Sequence, residues 1–162
     1  MADIPIRIYV AFGGKAGANR AVAPLLAGLP ASLLKAPVNV LRLSLHPEGL
    51  PQRIANLSEW RAHLLDRLRH QIEITADPEL ETLMKELRGY PAPIRRAAPA
   101  PDTLGGVLVP LQLVTDAGTL SFLSTTTVFG TPVDVTLSEL AIESLFPADD
   151  ATARALQKIV PR

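Results

Sequence analysis

The chain has 162 residues, 48% of them hydrophobic and 20% charged, with a formal net charge of +0 and no cysteine. It is too apolar for wholesale disorder and long enough to bury one core of its own. Disulfides and thiolate metal sites are excluded, and the basic surplus by which a protein grips nucleic acid unaided is missing.

In chain order, Ile4–Phe12 (IPIRIYVAF) alternates and is rich in β-branched side chains, which predicts a strand ended by Gly13, Gly14 and Gly17. The GGKAG sequence lacks the spacing of a phosphate-binding loop, and Ala16 follows Lys15 where a hydroxyl would hold magnesium, so it reads as a turn. Ala18–Ala27 predicts a short helix, opened by Asn19 and closed near Gly28 and Pro30. Val38–Leu45 predicts a buried helical turn or two, stopped at His46-Pro47, and Pro47, Gly49 and Pro51 make the following residues a turn.

The strongest helical signal follows Asn56, which with Glu59 forms something close to a capping box. Leu57, Trp60, Leu64, Leu65, Leu68 and Ile72 recur at three- and four-residue steps and form one apolar stripe. A second helix is predicted from Asp77 as cap and Pro78 in its first turn to Gly89, burying Leu80, Leu83, Met84 and Leu87 against the first as an antiparallel pair. Tyr90–Asp102 (YPAPIRRAAPAPD) reads as an extended linker. Val107–Thr115 and Thr119–Phe129 then predict two strands joined at Asp116-Ala117-Gly118, Ala141–Phe146 a third, and Asp149 or Asp150 a cap for a last helix through Ile159.

Reactive chemistry is hard to place on this pattern. His63 and His70 lie seven residues apart, whereas helical metal pairs prefer a four-residue step, so no metal is expected. Arg53, Arg61, Arg67 and Arg69 are interleaved with Glu59, Asp66 and Glu73, and aromatics are 4% of the chain, which describes a solvated helix face rather than a nucleic-acid platform. Arg53 and Arg61, flanking the helix start, are the candidates to meet a ligand carboxylate. The hydroxyl run Ser124–Thr127 has no histidine and carboxylate at a recognisable spacing, so neither an enzyme nor a cofactor is expected.

Two blocks carry a family likeness: LRLSLHPEGLPQRIANLSEWRAHLLDRLRHQ from Leu41 and TLSFLSTTTVFGTPVDVTLSELAIESLFPADD from Thr119. Both resemble the C-terminal sensing domain of MmyB-like transcription regulators in the xenobiotic-response-element helix-turn-helix family. The likeness begins near ANRAVAPLL at Ala18 and ends near Leu156, most of the chain. It implies a PAS-like ligand-binding domain over residues 18–160, with the Pro-rich linker at 90–102 and an apolar pocket for fatty acids or similar small molecules. The chain departs from the family pattern twice. It has no helix-turn-helix, so DNA would be met only through one on another segment or chain, and residues 1–17 form an atypical N-terminal segment, as in a fragment or a shortened gene product.

The expected fold is therefore α+β: an antiparallel sheet, with an N-terminal strand added, covered by helices. The expected function is sensing of a small apolar ligand that biases a regulator's DNA affinity. Periodicity nominates Leu41, Leu45, Trp60, Leu64, Phe122 and Val128 as apolar walls, with Arg53, Asn56 and Thr126 as polar anchors. A cytoplasmic homodimer is expected, since no apolar run reaches the ~18 residues of a membrane span and the start does not look like an export leader. The rival reading is a dimerisation or structural module with a filled core.

Overall fold

The computed structural model describes residues 7–11, 22–35, 39–91, 109–129 and 140–159. Strand β1 (Arg7–Ala11) is followed by two short helices, α1 (Val22–Leu26) and α2 (Ala31–Leu34), then α3 (Val40–Leu45) and a single 3-10 turn at Pro51–Arg53. The long helices α4 (Leu57–Thr75) and α5 (Pro78–Gly89) come next, then strands β2 (Leu111–Thr115), β3 (Gly118–Phe129) and β4 (Leu140–Pro147), and finally α6 (Asp150–Ile159). The class is α+β, as the sequence predicts.

The four strands form one sheet in the order β1-β4-β3-β2. β2, β3 and β4 make the predicted antiparallel meander. β1 joins it in parallel, from Arg7 opposite Leu140 to Ala11 opposite Ser144. Parallel neighbours need a long crossover, and here α1 to α5 and the β2–β3 hairpin all lie between the two strands in sequence. The hairpin turns at Gly118, whose φ of +106° suits a residue without a Cβ. The Thr115 hydroxyl donates to the Gly118 carbonyl at 2.8 Å and accepts from the Ala117 amide at 3.2 Å.

Three local devices build the helical layer. The Asn39 side chain accepts from the Arg42 amide at 3.0 Å and starts α3. The chain then doubles back through HPEGL, with the Leu50 amide donating to the Leu43 carbonyl at 2.9 Å. Gly49 permits that return, because a Cβ there would stand 2.3 Å from the Leu43 carbonyl oxygen. At the far end of α4, Ala76 takes the left-handed conformation (φ 51°), and the Asp77 carboxylate accepts from the Glu79 amide at 2.8 Å to open α5. The pair is antiparallel: Arg61, near the start of α4, donates to the Leu87 and Arg88 carbonyls at the end of α5 (2.9 and 3.2 Å).

Asn56 corrects one prediction. It precedes α4, but its side chain makes no helix-capping bond. The amide donates to the Pro110 carbonyl at 2.7 Å and accepts from the Gln112 amide at 3.1 Å. With the Ile54–Leu113 bridge and the Ala55 amide on the Gln112 carbonyl at 2.8 Å, residues 54–56 act as a short extra strand along the outer edge of β2. The edge is thereby satisfied, and α4 is anchored to the sheet at its first turn.

Other departures are small. Val22–Leu26 is the described part of the helix predicted over Ala18–Ala27, and residues 18–21 lie outside those described. α2 has no counterpart in the sequence reading. From residue 92 on, the Pro-rich linker also falls outside the described residues.

Candidate functional site

The buried side chains of β2 and β3 alternate as the strand pleat requires, with Leu111, Leu113, Leu120 and Phe122 turned to the helices. Towards α5 the space is filled, by Leu64 and Leu68 of α4 and Leu80, Leu83, Met84 and Leu87 of α5. Towards α1 the packing leaves a cavity of about 60 Å³. α1 supplies Val22, Leu25 and Leu26 to its wall, and α3 supplies Val40, Leu43 and Ser44. Leu50 and Trp60 close one side, and the sheet contributes Leu111, Leu113, Phe122 and Leu145.

Local structure explains why Trp60 stands there. The Asn56 amide fixes the chain to β2, and the Trp60 amide donates to the Asn56 carbonyl at 3.0 Å, the first bond of α4. Trp60 is thus held one turn above an anchored residue, and the indole lies in the same wall as Leu111, Leu113 and Phe122. It is 2% exposed, and its Nε1 finds no acceptor among the described residues. An unpaired buried donor costs about 1–3 kcal/mol. On the helix surface its ring lies 5.5 Å from that of His63, tilted by 33°.

Among the described wall residues none carries a charge; Ser44 and Trp60 supply the polar side-chain atoms. Charge is gathered elsewhere. Arg42, on α3, forks onto Glu86 of α5 through Nε and Nη2 at 2.9 and 2.8 Å. The Tyr90 hydroxyl donates to the same carboxylate, and the His46 ring meets Tyr90 edge-on at 5.2 Å. The Arg42 hydrogen bonds hold the Glu86 carboxyl below its usual range. Burial, and then the bond to Glu86, push the Tyr90 phenol up to about 12. This polar cluster ties α3 to α5 at the point where the chain leaves for the Pro-rich stretch.

Of the residues nominated from sequence, Trp60 and Phe122 meet in the cavity wall. Leu45 and Leu64 are buried in the surrounding core, and Leu41 packs half-buried against it. Arg53 reaches the Ala27 carbonyl at 3.4 Å, and Asn56 has both ends of its amide committed to β2. Thr126 and Val128 lie on β3, but their side chains fall outside the described residues. The α1 contribution was missed, although Val22, Leu25 and Leu26 already show the three- and four-residue step of a helix face. Leu111 and Leu113 lie on the predicted strand Val107–Thr115 but are not among the residues nominated from sequence.

Among the described residues no cluster of three or more His, Cys, Asp or Glu could hold a metal, and no helix is long and apolar enough to cross a membrane. No curated protein and no solved structure matches the chain. A family model for the MmyB-like transcription regulator ligand binding domain matches residues 1–159, a span that takes in β1 and the segment before α1. The chain belongs to the family of ligand-binding domains of MmyB-like transcription regulators.

Proposed function

We propose that the cavity between α1, α3, α4 and the sheet receives a small, mainly apolar molecule with a fatty-acid-like aliphatic body. Its occupancy biases the DNA affinity of a helix-turn-helix attached to this chain or carried by a partner. One observation carries the reading: a chain of a ligand-binding family keeps an apolar-walled space in its interior, where its own side chains could have packed. Ligand pockets commonly run to ~300–1,000 Å³, so a guest larger than a few atoms must displace part of the wall. α1, a helix of five residues that gives three side chains to that wall, is the element to move.

Coupling requires that the ligand favour one of two arrangements. α3 suits the role, since Val40, Leu43 and Ser44 touch the cavity while Arg42 holds Glu86 on α5. A guest that shifts α3 also shifts the footing of Tyr90. The domain works by binding alone, without catalysis, in the cytoplasm. Its first and last strands lie side by side with α1 to α5 inserted between them in sequence, which supports a PAS-like description. Val114 on β2 and Phe146 on β4 are exposed apolar side chains, which favours a homodimer.

Native mass spectrometry of protein taken directly from cells tests the reading. A co-purifying adduct of lipid-like mass, lost on mild activation, is the expected result. A dimer free of any adduct, with no response to added apolar molecules, would leave the filled structural module as the better account.

A further inference from the structure

Two short helices cover the cavity, and they are fastened unequally. α3 buries Leu43, Ser44 and Leu45, begins on the Asn39 cap, and is tied to α5 by the fork of Arg42 on Glu86. The Leu50 amide holds its Leu43 carbonyl at 2.9 Å. α1 buries Leu25, while Ala23, Pro24 and Ala27 beside it are exposed. The bonds that close its last turn are long: 3.4 Å from the Ala27 amide to the Pro24 carbonyl and 3.3 Å from the Leu29 amide to the Leu26 carbonyl. The helix then ends at Gly28, where φ is +82° and the surroundings are open, a Cβ there meeting nothing within 4 Å. Such a residue can change its backbone angles without a clash.

A side-chain tie crosses from the fixed part of the fold to this end of α1. Arg53 Nη1 donates to the Ala27 carbonyl at 3.4 Å. Arg53 stands on firm ground. Its amide bonds to the Leu50 carbonyl at 2.8 Å, Leu50 belongs to the cavity wall, and Ile54, next in the chain, is 0% exposed and bridged to Leu113 of β2. On the other side of the tie, Ala27 follows Leu26, a wall residue of α1. One charged donor on a carbonyl, longer than an ideal contact, biases a helix without locking it. We propose that Arg53 is the latch of a lid. While it holds Ala27, α1 closes the cavity; when it lets go, α1 swings about Gly28 and lifts Val22, Leu25 and Leu26 from the wall. That the lid admits a guest rests on the cavity being the ligand site; the swing itself does not. Because the latch is closed in the empty and the filled domain alike, Arg53 sets the rates of entry and exit and not the affinity.

The chain has no cysteine, so an introduced thiol is the only one a reagent can find. Leu25 of α1 and Leu43 of α3 lie in the same wall and are 5% and 4% exposed. Under native conditions Leu25→Cys should be labelled at least ~10-fold faster than Leu43→Cys, because it is uncovered by a local opening. Adding Arg53→Ala should speed the first about fivefold and leave the second unchanged, as loss of one exposed charge-assisted bond would do. Hydrogen exchange repeats the comparison without a cysteine: Arg53→Ala quickens the amides of α1 and spares the Leu43 amide, which is bonded to the Asn39 carbonyl. With 1-hexanol as the probe, Arg53→Ala should raise entry and exit rates together by about fivefold at an unchanged Kd. Equal labelling at positions 25 and 43, or no response of α1 to Arg53→Ala, would overturn the latch even if 1-hexanol binds. A weaker Kd at an unchanged entry rate would make Arg53 a contact of the guest and overturn it too. A helix that opens as expected while 1-hexanol neither binds nor slows the labelling at position 25 would remove the gating role together with the cavity as a ligand site.

Discussion

The two ends of helix α4 face the same kind of residue and solve the packing differently. Along its length α4 meets α5, and leucines with Met84 close the space between two long, antiparallel helices. At its first turn it shares a wall with the short helices α1 and α3 and the sheet, and there mainly leucines and valines surround a cavity instead. Composition does not make the difference, since both regions are lined mainly by leucine. Length does: two helices of 19 and 12 residues can interdigitate over several turns, whereas helices of five and six residues offer one face each. A hollow is left where the covering elements are too short to follow the sheet.

Paired substitutions sharpen this contrast. Leu87, fully buried in the filled region, should cost about 2–5 kcal/mol when cut to alanine. Leu25→Ala, at a wall that already faces free space, should cost only ~1–2 kcal/mol in chemical denaturation. Equal losses would mean that the two regions are packed alike. Asn56→Ala comes next. It strips the Pro110 carbonyl and the Gln112 amide of their partners at once, for about 2–3 kcal/mol, and should shift the fluorescence of Trp60 by loosening its footing. An unchanged tryptophan spectrum would separate the anchor from the cavity.

Enlargement should divide the regions by sign. Leu83→Phe overpacks the helix pair and should destabilise by ~1–3 kcal/mol, whereas Leu25→Phe has room to enter and should be near neutral in melting temperature. The smallest effect belongs to the surface tie between α3 and α5. Because Arg42 depresses the Glu86 carboxyl, the tie contributes fully above the ordinary carboxylate value of 4.5 and is lost as pH falls below it. Both groups are well exposed, so Glu86→Gln should cost less than ~1 kcal/mol at neutral pH, shrinking further in acid. Tyr90 has the opposite sign, since its raised phenol favours the folded state below its ordinary value of 10 and that contribution is lost as pH rises through about 12. Phenolate absorbance in a Tyr9→Phe background would follow it.

What could be read in advance follows from how local each signal is. The stripe from Leu57 to Ile72, the Asp77 cap and the alternation around Asp116-Ala117-Gly118 announce α4, α5 and the hairpin, because each is written within a few neighbouring residues. Asn56 shows where this stops. A helix cap and a strand-edge clamp use the same amide, and the choice between them is made by β2, more than fifty residues away. The parallel register of β1 and the brief helix α2 likewise depend on partners that sequence periodicity does not name. Trp60 and Phe122 were found as wall residues because the inward face of an element is periodic. The emptier side of that wall was missed because a void leaves no pattern in a sequence.

The pairing of Arg7 with Leu140 has a consequence for how the molecule is made. β1 is made well before β4, its partner in the sheet, and must wait for it. Sheet closure is thus a late event, slowed by the entropy of drawing distant residues together. Until then the α4–α5 pair and the β2–β3 hairpin, each joining elements that are neighbours in sequence, can form first. Nascent chains halted before β4 should resist proteolysis there and nowhere in β1.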